Sequence, residues 1–355
     1  MGENIFSARL KSLVPYTAGE QPQDRSYIKL NTNENPYPPS PQVQEILGTF
    51  PAERLRLYPD PQCIRLREAV AEETGLEPEN IFVGNGSDEV LSFAFFSFFD
   101  STRGPLLFPR HTYSFFPVYC DFYRIEYVRV PLEEDFSLRL SRFLEEPESC
   151  GIAFPNPNAP IGRAVQLEEI TRLLEQYPSD RLVLLDEAYV DFGAQTAVGL
   201  CRDWDNLLVV QTVSKGRSLA GIRLGFAFGQ KPLIDALNAA KDSFNSYPVD
   251  AVAQEVGIAA MTDSAYYQSI NSAVVATRED FAARLRETGW RVLPSKANFV
   301  FASHPTLSGE MVYTTLKRRG ILVRYFAKEE INRFVRITIG RPEDMERFIE
   351  VVREL

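Results

Sequence analysis

The chain has 355 residues, 45% of them apolar and 24% charged, with a formal net charge of −10. That length exceeds one ordinary core and suits two domains, or one large and one small, in a soluble globular protein. The acidic balance, with no Lys/Arg block to override it, argues against nucleic acid as a partner. The longest apolar-looking run, VLSFAFFSFF, falls well short of the roughly 18 residues a membrane span needs.

The opening MGENIFSARLKSL has no signal-peptide apolar core, and Phe6 stands where a myristoylation pattern needs Ser or Thr. Cys63, Cys120, Cys150 and Cys201 are scattered singly, with no C-x-x-C, so a reduced, cytoplasmic protein is expected. The only histidines, His111 and His304, leave little for a His-based metal site or for a hydrolase that needs a His base. No metal is expected, and the chemistry falls to Lys, Asp, Tyr and Arg.

In chain order, the Pro/Asn-rich NTNENPYPPSP (31–41) reads as a non-helical arm or linker. From about residue 60 to 230, apolar runs alternate with helical periodicity. IFVG (81–84) leads into SDEVLSFAFFSFF; PLLFP (105–109), IEYVRV (125–130) and GIAFP (151–155) follow. In LEEITRLLEQY, Leu167, Ile170, Leu174 and Tyr177 fall on one helical stripe. Then come RLVLLDEAYV, NLLVVQTVSK and LGFAFG. This alternation predicts an α/β layer, a mainly parallel sheet covered by helices on both faces.

After Pro248 the pattern changes to long helices over 249–289, then strand-like NFVFAS, a helix near 309–319, GILVRYF, FVRITIG and a terminal helix from Pro342. The order suggests a smaller α+β domain. The expected organisation is an arm over residues 1–40 packing with the small domain, a large domain over 41–248 and a small domain over 249–355.

Ligands of α/β sheets bind where strands end, so the loops after these strands belong together. GNGSDE (84–89) either offers helix N-terminal amides to an anion or is a capping box with Ser87 or Asp88 as the cap. LVLLDEAY resembles the acidic strand end of a P-loop ATPase, but no Gly-Lys dipeptide exists anywhere in the chain and that reading fails. Asp186 then either caps a turn or pairs with a cationic ring nitrogen, which requires a low pKa held down by the cation. Lys215, at the end of a buried strand beside Ser214, can lose its proton near neutral pH and attack a carbonyl. Ser87, Thr212, Ser214 and Arg223 could together hold a phosphate, each charged hydrogen bond contributing roughly 1.5–3 kcal/mol. A phosphate cradle, an amine nucleophile and an Asp for a pyridinium nitrogen are the parts of a pyridoxal-phosphate enzyme.

In order and spacing, VPYTAGE, KLNTNENPYPPSP, LYPDP, GNGSDE, HTYS, PNPNAPIG, DEAY, SKGRSLAGIRLG and VRITIG resemble the fold-type-I pyridoxal-phosphate aminotransferases. Within them the resemblance is to the histidinol-phosphate aminotransferase family, over nearly the full length. It implies that Lys215 bonds the cofactor and then shuttles a proton, that Asp186 pairs with the pyridine nitrogen and that Tyr189 donates to the phenolic oxygen. Tyr113 would stack on the ring. Amides near Ser87 and Asp88, with Thr212, Ser214 and Arg223, would hold the phosphate, and Tyr58 would reach the phosphate of a neighbouring subunit in a homodimer. Arg336 would receive the substrate anion, helped by Tyr16 and Arg324, with Asn33 of the arm among the substrate-binding residues. One departure stands out. Where the family loop reads N-P-N-N-P-T-G, this chain has NPNAPIG; Ala159 replaces the Asn that partners the phenolic oxygen, so Asn158 takes over or Tyr189 acts alone.

The implied reaction is transamination of L-histidinol phosphate with 2-oxoglutarate. Two arginines suit a dianionic phosphate better than a single carboxylate. An aromatic or broad-specificity aminotransferase would need only Arg336, and a threonine-phosphate decarboxylase would share the same cofactor cradle. The Tyr/Phe-rich stretch 113–123 reads chiefly as core packing. A transcription regulator using such a domain as a sensor would need an added helix-turn-helix segment, for which motifs starting by residue 14 and running near the C-terminus are expected to leave no room.

Overall fold

The computed structural model describes the chain except residues 1–4, 6, 8, 9, 11, 12, 18, 25 and 147, so much of the first twelve residues of the expected arm lies outside the described residues. The first strand, β1 (Ile28–Lys29), belongs to the arm. Seven more follow: β2 (Ile81–Gly84), β3 (Leu106–Pro109), β4 (Tyr127–Val130), β5 (Gly151–Pro155), β6 (Leu182–Asp186), β7 (Leu207–Thr212) and β8 (Gly225–Phe228). They form one sheet in the order β2-β8-β7-β6-β5-β3-β4, parallel except for β8, which runs antiparallel to both neighbours. The sheet is therefore mainly parallel, as the alternation predicts.

β2, β3, β5, β6 and β8 are buried at every position, because helices cover both faces of the sheet. One face carries a core that includes Ile152, Val183, Leu185 and Val209; the other carries Leu106, Ala153, Leu184 and Leu208, the alternation expected of successive strand residues. The helices of this part are α1 (Pro41–Thr49), α2 (Ile64–Thr74), α3 (Gly86–Phe98), α4 (Phe115–Tyr123), α5 (Leu167–Gln176) and α6 (Lys231–Phe244). In α5 the predicted stripe buries Ile170, Leu174 and Tyr177, and Glu169 accepts from the Gln166 N–H at 3.1 Å to close the first turn. The aromatic stretch is core packing in large part, since Phe116 and Tyr119 are buried.

Beyond residue 248 come α7 (Ala251–Thr262) and α8 (Ser264–Glu287), then β9 (Arg291–Val292), β10 (Phe299–Ser303), α9 (Gly309–Arg318), β11 (Ile321–Leu322), β12 (Arg324–Tyr325), β13 (Phe334–Thr338) and α10 (Pro342–Val352). β12, β13, β10 and β9 make an antiparallel sheet with its own core, including Phe299, Val335, Ile337 and Phe348. GILVRYF, read as one strand, breaks into two: β11 pairs with β1 of the arm while β12 pairs with β13. The arm is pinned there, with Leu30 N–H donating to the Leu322 carbonyl (2.8 Å) and its own carbonyl accepting from Thr338 N–H (3.0 Å). No helix among the described residues is long and apolar enough to cross a membrane.

Candidate active site

The strand ends predicted to act together do meet at one edge of the large sheet. The register sets Pro155 beside Asp186, Asp186 beside Val210, and both Gly84 and Thr212 beside Gly225. Loops leaving that edge enclose a cavity of about 170 Å³. Ser87, Asp88, Tyr113, Asp186, Tyr189, Thr212, Ser214, Lys215 and Arg223 line it, together with Tyr16, Asn33, Arg324 and Arg336. A larger cavity of about 390 Å³ lies behind the 156–166 loop but holds none of the titratable groups singled out by the sequence.

At the start of α3 the cap position is Asn85, not Ser87 or Asp88, which corrects the capping-box reading. The Asn85 side-chain amide is drawn instead to the Pro248 carbonyl (3.0 Å) and Glu89 accepts from the Asn85 N–H (2.7 Å), so Asn85 does not cap the first-turn amides, and Ser87 and Asp88 of that turn line the cavity. Gly86 has φ +79°, and a Cβ on it would lie 2.6 Å from Arg223 Nη2. Arg223 itself holds a left-handed φ of 57°, uncommon without glycine and concentrated at functional sites. Its guanidinium lies 3.4 Å from the Asp88 carboxylate. The Thr212 hydroxyl accepts from Ser214 N–H (3.1 Å) and lies within reach of the Leu224 carbonyl (3.1 Å) and the Ser214 hydroxyl (2.9 Å). Thr212 thus orients Ser214, which keeps its own proton for a ligand.

Asp186 ends β6 only 4% exposed, and its Oδ1 accepts from Ala188 N–H at 3.1 Å. The turn reading of Asp186 is what this bond shows, and its Oδ2 has no hydrogen bond of its own among the described residues. Burial pushes its pKa up to about 7, so the carboxylate gains from a cation docked against it. Burial, with Arg336 next, lowers Lys215 to about 8, opposed by Glu34 and Asp88. Lys215 Nζ donates to the Thr32 carbonyl at 3.2 Å. Tyr113 donates to Asp88 at 2.6 Å, and burial raises its pKa well above the ordinary tyrosine value.

Across the cavity, Arg324 and Arg336 are direct cross-strand partners on β12 and β13. Like charges directly opposite each other destabilise a sheet, a cost that an anion between them would offset. Arg336 donates to the Asn31 carbonyl (3.2 Å) and keeps a buried Nε without a partner, while Arg324 donates to the Thr17 carbonyl (2.9 Å). Tyr16 packs on Phe115 with centroids 4.4 Å apart and the rings tilted by 32°, and it lines the same cavity as these cations.

Asn158 is not brought to this cavity. The 156–163 loop closes on itself, with Asn158 N–H donating to the Arg163 carbonyl (2.7 Å), and this turns the Asn158 amide to the His111 carbonyl (2.9 Å). Ala159 lines the cavity instead. Tyr58, expected to serve a neighbouring subunit and not its own, is 82% exposed and stacks on Tyr247 at 4.6 Å. The arm supplies what the loop does not. Asn33 Nδ2 donates to Tyr189 Oη (2.9 Å), and Thr338 Oγ1 donates to Asn33 Oδ1 (3.0 Å), which orients the amide. An accepting Tyr189 oxygen points its own proton elsewhere, leaving it free for a ligand. Sequence reasoning did not find the Thr32 carbonyl, Asn35 or Asn271; the available signals were the Asn repetition in NTNEN and an Asn inside a long helix.

The model of the family described as aminotransferase class I and II matches residues 25–352. A protein of Syntrophus aciditrophicus named histidinol-phosphate aminotransferase is 54% identical, covering 100% of this chain and 99% of that protein. One of the same name from Chromohalobacter salexigens is 48% identical over 98% of each. Among solved structures, the histidinol-phosphate aminotransferase of Sinorhizobium meliloti, in complex with pyridoxal-5'-phosphate, shares the fold with a TM-score of 0.88 at 22% identity over 99% of each chain. The L-threonine-O-3-phosphate decarboxylase of Porphyromonas gingivalis shares it at 0.79 and 22% identity, over 92% of this chain and 98% of that one. A full-length match, joined to a lysine and a buried aspartate at the strand ends of one sheet, places the chain in the class I and II aminotransferase family.

Proposed function

We propose that the chain transfers the amino group of L-histidinol phosphate to 2-oxoglutarate, using pyridoxal 5'-phosphate and the residues around Lys215. The observation that carries the substrate is the Arg324/Arg336 pair, two cations directly opposed in the cavity that also holds Lys215 and Asp186. A phosphate dianion suits two such cations, and the second-half carboxylates of 2-oxoglutarate suit them too.

The residues present fit the cofactor. The α3 terminus at Ser87 and Asp88, with Ser214 and Arg223, would hold the phosphate in a space that a Cβ on Gly86 would fill. Asp186 is a buried carboxylate that a pyridinium proton would stabilise, and Tyr189, accepting from Asn33, would give its proton to a phenolic oxygen. When bound, the cofactor supplies an electron sink for the bond broken at the substrate Cα. Lys215 Nζ takes the Cα proton and returns it, helped by a pKa near the working pH. Arg336 and Arg324 orient the substrate by its far anion, and Tyr16 closes that end. Tyr113, held by Asp88, walls the ring side.

The same reading takes residues 1–40 as arm, 41–248 as large domain and 249–355 as small domain, in a cytoplasmic homodimer. Four free, buried cysteines agree with a reducing compartment. Tyr58 is exposed and stacks on Tyr247, and Leu55, Leu57 and Phe244 are exposed too; a second copy would cover such apolar side chains, with Tyr58 reaching its neighbour's site.

Mixing the yellow protein separately with histidinol phosphate, phenylalanine and threonine phosphate tests the substrate. Bleaching with histidinol phosphate far faster than with phenylalanine is expected. Equal bleaching makes the enzyme a broad aromatic aminotransferase, and carbon dioxide release from threonine phosphate makes it a decarboxylase. Lys215→Ala is expected to abolish turnover; full activity in that variant overturns the assignment of the lysine.

A further inference from the structure

We propose that Asn271 is a positioning residue for Lys215, acting with Asn35 as an amide clamp on the main chain that carries the lysine. The inference rests on the reading of Lys215 as the reacting amine. Asn35 Nδ2 donates to the Lys215 carbonyl and to Asn271 Oδ1, each at 3.1 Å. Asn271 Nδ2 then donates to the Gly216 carbonyl, also at 3.1 Å. The Asn35 carbonyl oxygen is held in turn by Tyr37 N–H at 3.1 Å, so the pair has one orientation.

The opposite side of the same peptide is blocked. A Cβ on Gly216 would lie 2.1 Å from Asp191 Oδ2, so the backbone here passes between a carboxylate and two amides. With its carbonyls fixed, the Lys215 side chain reaches Thr32 from a defined origin. The clamp also joins three separate pieces of chain: the arm through Asn35, the lysine loop, and α8 through Asn271. Asn is a poor helix former, and Asn271 sits inside α8 only 6% exposed. A buried amide at a helical position that an apolar residue would fill more cheaply has its explanation in these two bonds.

Releasing one carbonyl lets the lysine origin drift. A misplacement of about 1 Å costs on the order of a hundredfold in rate when geometry is limiting. The charges facing Lys215 are Arg336, Arg223, Glu34, Asp88 and Asp186, and a loosened lysine becomes more hydrated among them. Asn271→Ala and Asn271→Asp remove the donor to Gly216, the second without changing side-chain size.

The test measures kcat and KM against pH for the cofactor-loaded variants, with unfolding midpoints and the pH titration of the visible absorbance. Expected is a ten- to hundredfold fall in kcat, little change in KM, and an alkaline shift of the lysine limb and of the absorbance titration. Full-rate activity, or a loss of rate matched by loss of folded protein with an unmoved pH profile, overturns the clamp. Lys215→Ala run in parallel separates the two readings: an active Lys215→Ala removes the premise, whereas an inactive one beside a normal Asn271→Asp refutes the clamp alone.

Discussion

Replacing Asp186 with Asn separates what this carboxylate costs the fold from what it contributes to the chemistry. Burial raises its pKa from 3.8 to about 7. Because the folded value lies above the unfolded one, ionisation opposes folding. The penalty is absent well below pH 3.8, builds between 3.8 and about 7, and is complete above that window. At 1.36 kcal/mol per pKa unit it amounts to about 4 kcal/mol. Asn carries no charge and keeps an acceptor for the Ala188 N–H, so the local turn survives. Cofactor-free Asp186→Asn is therefore expected to exceed the wild type in stability by up to about 4 kcal/mol at pH 8, the gain shrinking towards pH 4. Its turnover is expected to fall at least a hundredfold, since removing one partner of a buried ion pair costs about 3–5 kcal/mol. Denaturant unfolding across pH, alongside single-turnover rates, measures both. A variant that is less stable than wild type at pH 8, or whose stability difference ignores pH, refutes the reasoning.

Alanine at Gly86 must adopt a left-handed φ and displace the Arg223 guanidinium. Cofactor affinity is expected to drop on the order of ten- to a hundredfold, the loss of one charged hydrogen bond. An unchanged dissociation constant in absorbance titrations would show that Arg223 does not hold the phosphate. Phe244→Asp, in the exposed apolar surface, is expected to halve the mass seen in sedimentation. An unaltered mass would place the subunit contact elsewhere.

The parts of the site that were legible from the sequence are those set by local pattern. Asp186 and Thr212 each end a run of apolar residues, and Ser214 and Lys215 follow directly; strand ends of a parallel sheet gather at one edge whatever the details of packing. Gly84 and Gly86 announce the turn into α3 in the same way, although the cap fell to Asn85 because Pro248 draws its side chain. GILVRYF read as one strand because its apolar run is continuous, and only the arrival of β1 divides it.

By itself the sequence determined the mainly parallel α/β sheet, the strand-end lysine and aspartate, and the family. Tertiary structure alone decided that Arg324 stands opposite Arg336, that Asn33 reaches Tyr189 across 156 positions, and that Asn158 turns away to His111. It also brought Asn35 to the Lys215 carbonyl and Asn271 to the adjoining Gly216 carbonyl, although the two asparagines stand 236 positions apart. The physical reason is range. Periodicity and strand ends record interactions between near neighbours in the chain, whereas the partner of a polar side chain is chosen by register and packing between segments that the local pattern does not connect.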